Sequence, residues 1–192
     1  PGFRIRNMTI RTVGASTYLF AAGPGNIYSA NLSGANGMPS AGAGACSNAG
    51  TRNLITSALG IAVDGLGGAP SFLYAAVDGH IYRYPLVATG DRFCPGEWDI
   101  KHDHDGSVTS TTRHPPARMI ELDPEDDNII YITSNTHEVA KYEMAATNNG
   151  LTEVWRQGSR GRGSSADDGT NVLLWSSRAL FIGEGDENKG NG

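Results

Sequence analysis

Residues 60–86, GIAVDGLGGAPSFLYAAVDGHIYRYPL, predict a short strand followed by a β-hairpin. Residues 72–76 form an apolar run, residues 78–79 form an Asp-Gly turn, and residues 81–86 alternate between apolar and polar side chains. An apolar run bounded by turn residues is typical of a fully buried strand, and alternation is typical of a half-buried one. The stretch therefore predicts three antiparallel strands, the first of them at residues 60–64.

The same unit recurs along the chain. Its equivalent apolar positions are spaced by 54, 57 and 50 residues, and they are Leu19, Leu73, Ile130 and Leu180. A short strand precedes each hairpin, and a looser segment after the hairpin supplies a weaker fourth strand. Four antiparallel strands repeating at this spacing are the signature of a propeller blade, because one blade buries its two faces only by stacking against neighbours. A β-sandwich also has short strands, but it would not repeat this order four times.

We therefore expect an all-β chain of four-stranded antiparallel blades, with residues 1–192 as a single β-propeller segment. The blade boundaries are predicted at about residues 1–55, 56–100 and 114–158, with a partial fourth blade at about 170–192. The fourth copy stops inside a turn, whereas single-chain rings contain roughly four to eight complete blades. The sequence thus predicts about four blades of a larger ring.

The composition narrows the classes of partner. The 192 residues include 26 glycines and carry a formal charge of −5. The glycines suit an all-β fold with many tight turns, and the negative charge disfavours nucleic acid, which requires a basic face. No apolar run approaches the roughly 18 residues of a membrane span. The expected partners are other protein subunits, the remaining blades of a longer chain, or glycans, with no nucleic acid and no membrane span.

Three segments of the second copy resemble an NHL-type propeller blade, namely Gly60–Asp64, Leu73–Ala76 and Gly79–Arg83. Residues 118–142 look like the next blade of the same kind. The resemblance implies a propeller related to the six-bladed superfamily, which distantly includes metal-dependent lactonases, esterases and strictosidine-synthase-like enzymes. It does not fix a function, because this family contains enzymes, receptors and scaffolds.

The resemblance also bears on cofactors. The metal hydrolases of this superfamily hold their metal with a Glu and with Asn or Asp, one of them in a Pro-Asn-Gly segment just before an inner strand. The matching stretches here are residues 57–60 and 116–119, and they offer no carboxylate or amide ligand, while Arg118 would repel a cation. We therefore expect no resident cofactor, with Ca²⁺ or Zn²⁺ as the open alternative.

The densest group of potential metal ligands is the run His102, Asp103, His104 and Asp105. Two imidazoles and two carboxylates are chemically able to bind zinc. In an extended segment the two histidines share one face and the two aspartates share the other, so only two ligands converge without a bend. A solvated loop between blades is the alternative. No Gly-x-Ser-x-Gly elbow occurs, and we predict no catalytic residue.

Two features favour the secretory pathway. Asn7 and Asn31 each begin an Asn-x-Ser/Thr acceptor sequence for N-linked glycan. Cys46 and Cys94 are the only cysteines; they could form a disulfide in an oxidising compartment, or remain free or pair between chains.

These observations predict an extracellular, non-catalytic propeller that serves as a structural or protein- and glycan-binding scaffold, in a filament or matrix assembly. Two alternatives stay open: a metal-dependent hydrolase of the lactonase or esterase type, and a small sugar-binding propeller lectin.

Overall fold

The computed structural model describes fourteen stretches of the chain: residues 5, 7–23, 26–34, 39, 43–46, 58, 60–65, 69–77, 80–103, 117–134, 138–144, 151–158, 170–176 and 179–184. Its regular elements are all β-strands. The prediction of an all-β chain built from antiparallel four-stranded sheets is confirmed. Over these residues, the structure has no helix long and apolar enough to cross a membrane.

Three complete sheets and one two-stranded sheet follow one another along the chain. Blade 1 contains β1 Asn7–Val13, β2 Ser16–Gly23, β3 Asn26–Asn31 and β4 Gly44–Ala45. Blade 2 contains β5 Gly60–Val63, β6 Phe72–Val77, β7 His80–Thr89, β8 Arg92–Pro95 and β9 Ile100–Asp103. Blade 3 contains β10 Ala117–Leu122, β11 Ile129–Ser134, β12 Glu138–Met144 and β13 Leu151–Gly158. The fourth sheet pairs β14 Thr170–Ser176 with β15 Ala179–Glu184.

The first strand of each sheet is its inner strand. β5 contacts both β1 and β10, and β10 also contacts β14. Within each blade the later strands follow in sequence order, each antiparallel to the one before it. This arrangement brings the inner strands of successive blades side by side, so that residues far apart in sequence meet along them.

Two apolar cores lie between the blades. The core between blades 1 and 2 contains Phe20, Ala22, Ile27, Ala58, Ile61, Val63, Leu73, Ala75, Val77, Tyr82 and Tyr84. The core between blades 2 and 3 contains Ala62, Tyr74, Ala76, Ile81, Ile120, Leu122, Ile130, Ile132, Ala140, Tyr142 and Leu151. Blade 2 therefore buries both of its faces, as alternate residues of each strand point to opposite sides. Most of the buried apolar side chains among the described residues belong to these two cores.

The outer part of blade 2 differs from the simple repeat. β7 is ten residues long: its first part pairs with β9, and its last part folds back onto β8 through a tight turn. Gly90 occupies that turn with a positive φ of 65°, a conformation that favours glycine. The hairpin of β7 and β8 reaches blade 1, where β8 contacts β3. The sequence pattern predicted neither this extension nor β8.

This hairpin is joined to blade 1 by covalent and polar contacts. A disulfide links Cys46, directly after β4, to Cys94 in β8, with 5.5 Å between the two Cα atoms. The Ser29 hydroxyl lies 3.4 Å from the Cys46 sulfur. Arg92 donates to the carbonyl oxygens of Gly44 at 2.6 Å and Ala45 at 3.3 Å. The outer rim of blades 1 and 2 is thus cross-linked independently of their apolar core.

Replacing both cysteines, Cys46→Ala with Cys94→Ala, should lower the free energy of unfolding by about 2–4 kcal/mol, because the closed loop restricts the unfolded chain. The two residues are 48 positions apart. Chemical denaturation measures the change. A reducing agent should bring the wild type down to the value of the double variant and leave the variant unaffected. Equal free energies of unfolding for the wild type, the reduced wild type and the double variant would show that the disulfide contributes nothing to stability.

Candidate functional site

Charged side chains occupy equivalent register positions on three inner strands: Arg11 lies within β1, whereas Asp64 and Asp123 directly follow β5 and β10. In the strand registers Ile10 pairs with Leu19, Val63 with Leu73, and Leu122 with Ile130. The next residue along the chain is, in the three blades, Arg11, Asp64 and Asp123. The repeat therefore brings three ionisable groups to one end of the inner strands, and this end is the candidate site.

The two aspartates close the connections of their own blades. Asp64 Oδ1 accepts hydrogen bonds from the backbone N–H groups of Ser71 at 2.6 Å and Phe72 at 2.9 Å. Asp123 Oδ1 accepts one from the backbone N–H of Glu125 at 2.9 Å. Burial raises the pKa of Asp64 above its usual range, although the two N–H donors act in the opposite direction. Both carboxylates thus shape the loop between the first and second strands.

Arg11 has a different role from the two aspartates. Blade 1 turns from β1 to β2 through only Gly14 and Ala15, so it has no long loop that a side chain could brace. The Arg11 guanidinium reaches blade 3 and donates to Asp127 Oδ1 at 3.0 Å. The other oxygen, Asp127 Oδ2, accepts the backbone N–H of Gly65 in blade 2 at 3.0 Å. One carboxylate therefore connects three blades, and we call Arg11, Gly65 and Asp127 the three-blade clasp.

The clasp requires a glycine at position 65. A Cβ atom there would lie 2.6 Å from Nε and 2.7 Å from Cγ of Arg11. The Cγ atom is near the backbone and has little freedom to move aside. Any larger residue would push Arg11 away from Asp127, so the absence of a side chain is what lets the guanidinium pass.

Asn7 makes a second connection among the same blades. Its Oδ1 accepts the backbone N–H of Ile61 at 3.1 Å, and its Nδ2 lies 3.7 Å from the sulfur of Met119. β1, β5 and β10 are thereby linked at the end opposite the clasp. Asn7 is also one of the two predicted glycan acceptors, and a glycan on this amide would disturb its contact with Met119. Glycan occupancy of Asn7 stays a prediction.

The second predicted glycan acceptor, Asn31, lies at the end of β3. Its Nδ2 donates to the carbonyl oxygen of Asp91 at 3.1 Å, and its Oδ1 accepts the backbone N–H of Ser33 at 2.9 Å. Both contacts are solvent-exposed. Of the two acceptor sequences, Asn31 has the setting that accommodates a glycan with less disturbance, and its occupancy also stays a prediction.

Glu121 is the carboxylate of this region that closes no loop. It lies opposite Tyr131 in the register of β10 and β11, on the face away from the buried Ile120 and Leu122. Burial raises the pKa of Glu121 to about 7, and the positive charge of Arg11 acts in the opposite direction. A carboxyl group with this pKa exchanges its proton near neutrality, which suits a general acid or base.

The predicted metal cluster is only partly described. His102 lies in β9, and its ring meets the ring of Tyr142 edge-on with 5.4 Å between centroids. His104 and Asp105 lie outside the described residues, as does the side chain of Asp103. Over the described part of the chain, no three His, Cys, Asp or Glu side chains are grouped so as to hold a metal ion. Metal binding by this run stays untested.

Arg11, Asp127 and Glu121 were not predicted from the sequence. A usable signal was present: Arg11 is the charged residue of a strand that otherwise reads as apolar or neutral, and Glu121 lies between the apolar residues Ile120 and Leu122. Aligning the copies residue by residue would also have shown that Arg11 replaces an aspartate found in blades 2 and 3. The partner of Arg11 could not have been named, because Asp127 lies 116 residues away.

No protein-family model matches the sequence, and no curated protein matches it. A solved structure of the periplasmic gluconolactonase of Pseudomonas aeruginosa aligns with 87% of this chain and 47% of its own, at 15% identity and a TM-score of 0.46. A putative 6-phosphogluconolactonase from Bacteroides uniformis aligns with 91% of this chain and 55% of its own, at 11% identity and a TM-score of 0.46. The chain thus spans about half the length of each, and these likenesses decide no activity.

Asp127→Ala should lower the free energy of unfolding by about 1–3 kcal/mol, because it leaves the Gly65 N–H and the Arg11 guanidinium without this partner. Glu125→Ala is the matched control, since it removes an exposed carboxylate from the same loop. Chemical denaturation gives both values. In a double-mutant cycle Arg11→Ala should cost clearly less in the Asp127→Ala background than alone. Additive costs would show that the two side chains do not act together.

Glu121→Gln should make stability less dependent on pH. The folded pKa of about 7 lies above the ordinary value of 4.5, so the folded state holds the proton more tightly than the unfolded chain does. The wild type should therefore lose up to about 3 kcal/mol relative to Glu121→Gln as the pH rises from 4 to 8. Denaturation midpoints across this range measure the difference. Glu125→Gln should follow the wild type, and parallel curves for wild type and Glu121→Gln would contradict the shifted pKa.

Proposed function

We propose that this chain is a non-catalytic propeller scaffold that acts by binding other macromolecules, with protein subunits as the main partners and glycans as a further class. The observation that carries the proposal is the three-blade clasp. In a propeller enzyme, polar side chains at the ends of the inner strands would be available to a substrate. Here Asp64 is engaged by backbone groups of its own blade, whereas Arg11 and Asp127 are engaged by contacts that join three blades.

The chemistry of the rim supports an extracellular location. The disulfide between Cys46 and Cys94 is of a kind that persists in oxidising compartments. Asn31 lies at the end of β3, and both of its side-chain hydrogen bonds are solvent-exposed, a setting that supports glycan attachment. Both features fit a secreted glycoprotein within a filament or matrix assembly.

A metal-dependent hydrolase of the lactonase or esterase type is the second candidate, and Glu121 is the observation that favours it. This carboxyl group is half-buried on an inner strand, and its pKa of about 7 would let it move a proton at neutral pH. It could also act as one oxygen ligand of a divalent cation. The two candidate functions therefore differ in the role of one side chain.

Hydrolysis of a simple aliphatic lactone separates the two functions. The purified chain, assayed with Ca²⁺ or Zn²⁺ and again with a chelator, should release acid no faster than buffer does. Glu121→Gln should be indistinguishable from the wild type, with Glu125→Gln as the matched control. Chelator-sensitive hydrolysis that Glu121→Gln abolishes and Glu125→Gln retains would overturn the scaffold function and support the hydrolase.

A further inference from the structure

Two hydrogen-bond donors of blade 2 meet at the sulfur atom of Met144 in blade 3. The hydroxyl of Tyr74 in β6 donates to Met144 Sδ at 2.9 Å, and Nη1 of Arg83 in β7 donates to the same atom at 3.7 Å. Met144 is the last residue of β12, and its side chain is half-buried. One thioether therefore accepts from both donors across the boundary between the two blades.

The donors and the acceptor of this contact are unequal in strength. A phenol hydroxyl and a guanidinium are good donors, whereas a thioether sulfur is only a weak acceptor. Tyr74 is 1% exposed, so water has little access to its hydroxyl and does not replace the sulfur as its partner. An oxygen atom bonded to this sulfur would be a stronger acceptor for both donors than the sulfur itself.

Arg83 is fixed in a position that directs one of its nitrogen atoms to Met144. Its Nε and Nη2 atoms donate to the two carboxylate oxygens of Asp99 at 3.0 and 2.7 Å. Its Cζ atom lies 4.2 Å from the centre of the Phe72 ring. The ion pair with Asp99 balances the charge of the guanidinium and leaves Nη1 for the sulfur. The site is therefore suited to a neutral oxygen acceptor rather than to an anion.

The distances fit such an oxygen atom. In methionine sulfoxide the oxygen lies about 1.5 Å from Sδ, and an N–H···O hydrogen bond spans about 2.9 Å. Nη1 of Arg83, at 3.7 Å from Sδ, is closer than these two lengths end to end, so a bent S–O···N arrangement brings it into hydrogen-bond range. The Tyr74 hydroxyl, which is already beside the sulfur, has only to turn from the sulfur to the same oxygen.

We propose that Met144 is a site of oxidation to methionine sulfoxide, with hydrogen peroxide or an organic hydroperoxide as the oxidant. A lone pair of Sδ attacks the terminal peroxide oxygen, the O–O bond breaks, and an S–O bond forms. The transferred oxygen gives up its proton to the departing oxygen, which leaves as water or as an alcohol. The sulfur loses two electrons and the peroxide gains them, so the step needs no further co-reactant.

Oxidation at this position stabilises the contact between blades 2 and 3. A sulfoxide usually disrupts a core, because it places a polar oxygen among apolar side chains. Here the oxygen accepts hydrogen bonds from Tyr74 and Arg83, and both bonds join blade 3 to blade 2. The inference goes beyond the proposed scaffold function and does not depend on it.

The test uses the full chain with Met144 as its single methionine. The sequence has four methionines, and leucine, which has a similar volume, replaces the other three as Met8→Leu, Met38→Leu and Met119→Leu. Hydrogen peroxide should add about 16 Da, one oxygen atom, to the intact mass of this folded chain. Its thermal unfolding midpoint should then rise by about 2–4 °C. Circular dichroism before oxidation checks that each variant is folded.

Removing the hydroxyl donor identifies the cause of the shift. In the same background, Tyr74→Phe should abolish the rise or turn it into a fall, since the sulfoxide oxygen then loses a partner. Tyr84→Phe is the matched control and should keep the rise, because Tyr84 is another buried tyrosine of blade 2, and its hydroxyl has no hydrogen-bond partner among the described residues.

Three results would each overturn the proposal: a folded chain that takes up no oxygen, a midpoint that stays or falls on oxidation, and an equal rise in Tyr74→Phe. None of these results depends on the lactone assay, so the two proposals fail separately.

Discussion

The two hydrogen bonds that the Asp127 carboxylate accepts are the interactions on which the arrangement of the first three blades most depends. Apolar stacking is strong but has no direction, so it alone would let neighbouring blades slide or rotate. The carboxylate accepts a hydrogen bond from the backbone of blade 2 and another from the guanidinium of blade 1, and both bonds have defined directions. Since Asp127 and Arg11 are each only about one-fifth exposed, water competes weakly for them. The three blades are thereby held in one relative orientation.

The neighbouring residues follow from this constraint. Position 65 must be glycine so that Arg11 can pass, and the tight turn at Gly14 leaves no long loop in blade 1 for Arg11 to brace. Two further contacts join neighbouring blades: the Asn7 side chain does so along the inner strands, and the disulfide does so at the outer rim. Blade contacts are therefore reinforced at three separated points, which suits the proposed scaffold function.

Glu121 is the exception among the inner-strand carboxylates. Asp64 and Asp123 accept hydrogen bonds from backbone N–H groups in the loops of their own blades, whereas Glu121 closes no loop and burial raises its pKa to about 7. A structural protein has little use for such a group, and that is why the hydrolase remains the one competing function with a named residue. The scaffold function and the hydrolase function therefore differ in the role of Glu121: in a scaffold this carboxyl group only packs within blade 3, and in a hydrolase it also contacts a substrate.

Local patterns in the chain were sufficient for the type of fold. Apolar runs, alternating runs and Asp-Gly or Asp-Pro turns predicted the strands around Leu73 and Ile130, because strand formation and tight turns depend on neighbouring residues. They also predicted that the copies stack, since no single blade can cover its own faces.

The extension of β7 and strand β8 were not predictable from local patterns, because that hairpin is stabilised by contact with blade 1. The clasp and the raised pKa of Glu121 were settled only in three dimensions. Both depend on which blade stands beside which, and a hydrogen bond across 116 residues leaves no mark on the residues next to it in the chain.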